Sequence, residues 1–99
     1  MSAYVLSPEA LQDLQGVWDF IATDSANAAD KFLDELFDAF EKLAEWPRQG
    51  HVRTDLTERD VLFWPVGSYL VVYRADRKPL EIVAILHGAR DIPTVMRER

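Results

Sequence analysis

The sequence predicts an α+β fold of order β-α-α-β-β-β, in which a helical hairpin packs on one face of a small antiparallel sheet. The first half contains two apolar stripes with the three- and four-residue spacing of amphipathic helices. The second half contains three short apolar runs separated by turn residues, which is typical of strands. A length of 99 residues corresponds to one domain, predicted to span residues 1–99.

The first strand and the first helix are predicted from the opening of the chain. Residues 3–6 are mostly apolar and predict a short strand. Ser7 is a good helix cap, and Pro8 suits the first helical position, where its missing N–H does no harm. We predict that the helix extends to about Thr23. Its apolar stripe consists of Leu11, Leu14, Val17, Trp18 and Ile21. Gly16 interrupts this stripe at a cost of about 1 kcal/mol relative to alanine, which suggests a close helix–helix approach.

The second helix is predicted to follow almost at once, because Asp24 and Ser25 end the first helix and can cap another. Its stripe consists of Ala29, Phe32, Leu33, Leu36, Phe37, Phe40, Leu43 and Ala44. The helix is predicted to end near Trp46, because Pro47 cannot continue it. Two such helices joined by a short connection form a helical hairpin.

Three strands are predicted in the second half, at 61–66, 69–74 and 80–87. Pro65 indicates an edge strand or a bulge in the first of them. Gly67-Ser68 has the glycine position that a type II′ hairpin turn requires.

The last two strands carry apolar residues on both faces, although the helical hairpin can cover only one. The second face therefore needs a cover from another chain or from residues 88–99, which are predicted to form a polar tail.

Composition and charge limit the classes of function. There is no cysteine, so disulfides and thiolate metal sites are excluded. Residues 1–6 have neither the basic region nor the apolar run of a signal peptide, and no apolar stretch is long enough to span a membrane, so a cytoplasmic protein is expected. The net charge is −6. Residues 1–47 contain ten acidic and two basic residues, whereas residues 48–99 contain seven acidic and nine basic residues. Direct nucleic-acid contact would have to come from the second half.

The candidate chemical groups do not predict an ordinary enzyme. The two histidines, His51 and His87, are not at a metal-ligand spacing, and no cofactor motif is present. A single histidine at a strand end is more typical of a structural hydrogen bond, and Arg90-Asp91 would then anchor the tail by ion pairing. We therefore predict no catalytic residue, no metal site and no cofactor.

Several segments together resemble the ParE toxins of the RelE/ParE superfamily, from about residue 3 to residue 93. These segments are Tyr4-Val5-Leu6-Ser7-Pro8-Glu9-Ala10, Ala28-Ala29-Asp30-Lys31-Phe32, Leu43-Ala44-Glu45-Trp46-Pro47, Arg53-Thr54-Asp55-Leu56, Phe63-Trp64-Pro65-Val66-Gly67-Ser68-Tyr69 and Leu86-His87-Gly88-Ala89-Arg90-Asp91. The last of them is the most specific. The resemblance implies a small antiparallel sheet with a helical hairpin on one face.

The resemblance also implies partners and a mode of action. It implies a toxin of a type II toxin–antitoxin pair, associated with growth arrest and plasmid stabilisation and neutralised by a cognate ParD-like antitoxin. ParE-like members are associated with poisoning DNA gyrase, so nucleic acid is involved only through the partners. The alternatives are a RelE-like ribosome-dependent mRNA endonuclease and an interaction module without toxicity.

Two positions argue against the nuclease alternative. RelE-like chains carry an arginine where this chain has Leu70, and a tyrosine in the tail near the position of Met96. Only Arg90 matches a basic residue of such a site, and RNA cleavage requires a converging set of groups.

Two sets of candidate binding residues follow. The candidates for the target are Trp64, Tyr69, Arg74, His87, Arg90, Arg97 and Arg99. Trp64 has core packing as the alternative interpretation. The candidates for the antitoxin are Asp30, Asp34, Asp38, Phe37 and Trp18. The three aspartates lie four residues apart on one edge of the second helix, where they repel each other mildly and would attract a basic partner.

Overall fold

The computed structural model describes residues 3–99. Residues 1 and 2, which belong to the predicted domain 1–99 and to the segment considered for a signal peptide, lie outside the described residues. The elements are β1 (Tyr4–Leu6), α1 (Pro8–Ala22), α2 (Ala26–Glu45), β2 (Leu62–Val66), β3 (Tyr69–Arg74), β4 (Leu80–His87) and α3 (Ile92–Glu98). The predicted order is confirmed for the first six elements, and α3 is an addition to it. A single 3-10 turn at Pro47–Gln49 follows α2.

The sheet has the strand order β1-β4-β3-β2 and is mixed. β3 pairs antiparallel with both neighbours, whereas β1 pairs parallel with β4, with Tyr4 opposite Leu80 and Leu6 opposite Ile82. The prediction of an entirely antiparallel sheet is therefore wrong for β1. Periodicity identifies a strand but not its direction, and two helices separate β1 from the other strands, so the chain could return to the sheet at either end.

Side-chain caps determine where the two long helices begin. The Ser7 hydroxyl accepts a hydrogen bond from the Ala10 N–H at 3.1 Å, and the Ser25 hydroxyl accepts one from the Ala28 N–H at 3.1 Å. Each cap satisfies one of the N–H groups that a helix start leaves without a partner, a contribution of about 1 kcal/mol. α2 ends one residue before Trp46, as Pro47 requires.

The hairpin packs on one face of the sheet and forms the main core. The residues buried there are Ala10, Leu14, Val17, Leu36, Phe40, Leu43, Leu62, Val71, Tyr73, Leu80, Ile82 and Ile85. Complete burial of a side chain such as Phe40 or Leu43 contributes about 1.5–3 kcal/mol. This core fixes the position of α1 relative to the ends of the strands, and the candidate binding surfaces lie between these elements.

The opposite face of the sheet is covered by α3, which confirms that a second cover is needed. The second core, between α3 and the sheet, consists of Val61, Phe63, Val72, Ala84, Leu86, Ile92 and Met96. The expectation of a polar tail is wrong for Ile92–Glu98, because Ile92 and Met96 lie one turn apart and face the sheet together. Asp91 caps this helix by accepting hydrogen bonds from the Thr94 N–H and from the Thr94 hydroxyl, the latter at 2.7 Å.

The segment between α2 and β2 is attached to the sheet through Tyr73. The Tyr73 hydroxyl donates a hydrogen bond to the Pro47 carbonyl at 2.7 Å and accepts one from the Gly50 N–H at 2.9 Å. Burial raises the pKa of Tyr73 above its ordinary value. A Cβ at Gly50 would clash with the Tyr73 hydroxyl, so a larger residue there requires the Tyr73 side chain to move and its two hydrogen bonds to change.

The hairpin turn and the outer edge of β2 follow the sequence closely. Gly67 has a φ of 58°, as the first central position of a type II′ turn requires. β2 is an edge strand, as Pro65 predicts, and His51 exchanges both backbone hydrogen bonds with Phe63 on its outer side. The β2 edge of the sheet is thereby partly occupied, whereas β1 forms the other edge.

Candidate partner-binding surfaces

Three of the predicted target-binding residues meet where β3 begins and β4 ends. Tyr69 lies opposite His87 in the ladder, and their rings meet edge to face at 5.1 Å. His87 Nδ1 accepts a hydrogen bond from the Ala89 N–H at 3.0 Å, which agrees with the structural role predicted for a single histidine at a strand end. Arg90 follows in the same turn and is exposed.

A concave space of about 240 Å³ separates these strand ends from α1. We call it the strand-end notch, and the residues that matter below are Gln12, Asp13, Gly16, Tyr69, His87 and Arg90. Gly16 is exposed, and a Cβ built on it would meet nothing within 4 Å. The predicted close helix–helix approach at Gly16 is therefore wrong, because no atom of α2 lies within 4 Å of that Cβ position.

Asp13 and Arg99 form a clasp between α1 and the segment after α3. Arg99 donates two parallel hydrogen bonds to the Asp13 carboxylate, at 2.7 and 2.8 Å. The same carboxylate accepts the Ile85 N–H of β4 at 3.0 Å, and its side chain is only 8% exposed. The hydrogen bonds that Arg99 donates to Asp13 are the largest cause of its raised pKa. Arg99 is thus engaged within the fold rather than extended toward a target.

The tail is anchored differently from the prediction. Arg59 donates to the carbonyls of Met96 and Arg99 at 3.3 Å, so it stabilises the end of α3. Asp91 acts as a cap, and its pKa is lowered chiefly by the hydrogen bonds from Thr94. The ion pairs among residues 3–99 involve Arg53, Arg74 and Arg99, so Arg90 pairs with none of the described carboxylates.

The remaining target candidates lie apart from the notch. Trp64 is half-buried against the main core and stacks on His51 with ring centroids 6.2 Å apart, so it has a packing role. Arg74 is 3.8 Å from Asp76 and lines a cavity on the α3 side of the sheet. Arg97 is exposed on α3, where it donates to the Thr94 hydroxyl at 3.0 Å. The seven residues therefore do not converge on one place.

A second surface lies on the outside of the helical hairpin. Two adjoining cavities of about 650 and 960 Å³ share Leu11, and together we call them the hairpin groove. Its apolar residues include Val5, Leu11, Leu14, Trp18, Leu33 and Phe37. Leu11 is 60% exposed and Phe37 is 37% exposed, so apolar surface is open to a partner here.

The predicted antitoxin residues lie on or beside this groove. Trp18 donates a hydrogen bond from Nε1 to Asp30 at 2.9 Å, which fixes the indole at the junction of the two helices. Asp34 and Asp38 are exposed on α2, where Glu41 and Glu45 line the groove directly. The groove lining contains carboxylates and no lysine or arginine, so it presents negative charge around an apolar floor.

Leu11 is the groove residue that the sequence placed in the wrong environment. Its spacing puts it in the apolar stripe of α1, and such a stripe normally faces the core. The buried line of α1 consists of Ala10, Leu14 and Val17, whereas Leu11 and Trp18, seven residues apart, form a parallel line beside it. The sequence did contain a signal for this exposure, because the apolar stripe of α1 is wider than the face that the core can bury.

Comparison with known proteins identifies the family. A family model described as ParE toxin of type II toxin-antitoxin system, parDE, matches residues 4–92. The chain belongs to the ParE toxin family. This member is 33% identical over 90 residues to a protein named Toxin RelE2 from Caulobacter vibrioides (strain ATCC 19089 / CIP 103742 / CB 15), with 91% of this chain and 99% of that protein covered.

A solved structure supports the fold assignment of this ParE family member. It is described as Chromosomal ParDE TA system from P. aeruginosa and superimposes with a TM-score of 0.70. The match covers 88% of this chain and 96% of the other at 19% sequence identity, so it bears on the fold. Within residues 3–99, no group of three His, Asp or Glu side chains could hold a metal ion. No helix in that range is long and apolar enough to cross a membrane.

Proposed function

We propose that this ParE family toxin inhibits DNA gyrase by binding to it, without catalysis of its own, and that a cognate ParD-like antitoxin neutralises it. The supporting observation is the packing of Leu70 and Met96, the two positions where RelE-like nucleases carry polar site residues. Met96 lies on α3 and is buried against the sheet with only 3% of it exposed, and Leu70 is partly buried against the same apolar core. This part of the sheet serves to bury apolar surface.

An mRNA nuclease would need a different arrangement at the same place. Cleavage of RNA requires a base, an acid and cations that converge on one phosphate. The sheet face in question carries Val72, Ala84 and Leu86, and α3 lies across it. Arg90 lies outside that apolar core, in the strand-end notch. A mode of action by protein–protein contact requires no such convergence.

The charge of the protein also favours a protein target. A net charge of −6 repels phosphates on average, so nucleic acid would be reached through gyrase-bound DNA rather than directly. The proposal places the protein in the cytoplasm, where gyrase acts.

The hairpin groove is the surface that we assign to the antitoxin. An amphipathic segment with apolar anchors would cover Leu11, Trp18 and Phe37, in the manner of a helix bound in a groove. Asp30, Asp34 and Asp38, with Glu41 and Glu45, favour lysine or arginine on that segment. Charge complementarity of this kind raises the association rate and excludes acidic competitors.

Plasmid supercoiling by purified gyrase with increasing amounts of the protein tests the proposal. Inhibition accompanied by cleaved plasmid, both reversed by the antitoxin, is the expected result. A Leu11→Ala variant should inhibit equally, because Leu11 lies in the hairpin groove, and it serves as the folded control.

If the protein arrests growth but leaves supercoiling by gyrase unchanged, translation would become the expected target. Cleavage of mRNA on purified ribosomes would then be measured, because the similar Caulobacter protein is named Toxin RelE2. Expression without any growth defect would indicate an interaction module without toxicity.

A further inference from the structure

We propose that the strand-end notch is a docking site for a segment of the toxin's protein target that carries an acidic side chain. Gly16 admits the close approach of the backbone of that segment, and Arg90 binds its carboxylate. The inference rests on the proposed function, since it concerns which surface contacts gyrase. Three features of the described residues support it: an open glycine inside a helix, an adjoining concavity, and an arginine without an ion-pair partner.

The first feature is Gly16, which lowers the stability of α1 although no contact in the described fold requires a glycine there. It occupies the ninth position of a fifteen-residue helix, where glycine is less favourable than alanine. A Cβ at this position would lie in open space, so no contact within residues 3–99 requires its absence. Its backbone φ is not in the left-handed region either. The space that the missing side chain leaves is open to an external partner.

The concavity is the second feature. The notch of about 240 Å³ has Gln12 and Gly16 of α1 on one wall and Tyr69 and His87 on the other. Tyr69 and His87 are fixed by their edge-to-face contact and by the His87–Ala89 hydrogen bond. These contacts hold the two rings in position on their wall, and a space of this size accepts a short stretch of extended chain or one side chain. Phe20, four residues after Gly16, is 71% exposed on the same side of α1 and would extend the contact.

The charge of the notch identifies the chemistry of the occupant. Arg90 is exposed and pairs with none of the described carboxylates, whereas Asp13 is already neutralised by two hydrogen bonds from Arg99. Arg90 is therefore the charged side chain of the notch lining that is left to pair with a partner, in a protein of net charge −6. Arg90 has the planar donor arrangement that binds a carboxylate with two hydrogen bonds. The hairpin groove has the opposite charge, so one surface suits an acidic target segment and the other a basic antitoxin segment.

Substitution of Gly16 tests the proposal, because stability and binding should change in opposite directions. Gly16→Ala and Gly16→Gln add side chains that helices favour, so each should raise the melting temperature by roughly 2–8 °C. Gly16→Gln should nevertheless increase the concentration needed for half-inhibition of purified gyrase by about tenfold or more, the usual effect of filling a packed contact. Arg90→Gln should weaken inhibition without raising the melting temperature.

The control is Ala28→Gln, which adds a comparable side chain at an exposed position of α2 outside the notch. It should leave inhibition at the wild-type level. Gly16→Gln protein that is more stable and inhibits as well as wild type would overturn the notch assignment while leaving gyrase as the target. A wild-type protein that leaves gyrase fully active would overturn the proposed function, and the assignment of the notch with it. The wild-type arm therefore distinguishes the two failures.

Discussion

Loss of the Asp13–Arg99 clasp should destabilise the whole domain, because one carboxylate connects α1, β4 and the segment after α3. Asp13→Ala removes two charge-assisted hydrogen bonds to Arg99 and leaves the Ile85 N–H without its acceptor. An unsatisfied buried donor costs about 1–3 kcal/mol. The ion pair itself contributes about 1 kcal/mol, since the Arg99 side chain is 26% exposed and partly screened by water. We therefore expect a loss of about 2–4 kcal/mol in the free energy of unfolding.

Asp13→Asn separates the two contributions. An asparagine retains an oxygen that can accept the Ile85 N–H but removes the negative charge, so the expected loss is about 1 kcal/mol. Arg99→Gln should lower the free energy of unfolding by a similar amount. The double variant with Asp13→Asn and Arg99→Gln should lose less than the two single losses combined. Urea unfolding followed by far-UV circular dichroism measures the wild type, the three single variants and the double variant. A change below about 0.3 kcal/mol for Asp13→Ala, within the error of additivity, would refute the assignment of Asp13 as a structural connection.

The remaining predictions concern Tyr73 and the hairpin groove. Gly50→Ala should lower the free energy of unfolding by about 1–3 kcal/mol, because its Cβ would clash with the Tyr73 hydroxyl; an unchanged urea midpoint would contradict this contact. Burial raises the folded-state pKa of Tyr73, so its contribution to stability is present below pH 10 and is lost as the pH rises through that raised value. Melting temperatures measured from pH 8 to 12 should therefore fall less steeply for Tyr73→Phe than for wild type. Leu11→Lys should abolish neutralisation by the antitoxin while toxicity persists, measured as growth with both proteins expressed; full rescue would exclude Leu11 from that contact.

The elements that the sequence predicted well are those with local signals. The caps at Ser7 and Ser25 and the proline after α2 determine helix boundaries through neighbouring residues alone. The glycine of the β2–β3 turn is equally local. By contrast, the direction of β1 depends on how two helices return the chain to the sheet, and no residue within β1 specifies it. The helix α3 was missed because its apolar face is only one turn long, with Ile92 and Met96 as its buried residues.

The candidate surfaces were predicted less well, because they depend on residues distant in sequence. The stripe of α1 identified Leu11, Leu14 and Trp18 as one apolar face, but the width of the core decides which of them it buries. The line through Leu14 faces the sheet, so Leu11 is left at the surface beside the acidic row of α2. Gly16 is the converse case, where the sequence indicated a close approach and nothing in the described fold makes one. An apolar residue left exposed and a glycine left without a contact are both unexplained by folding, and each is therefore a reason to look for a partner at that position.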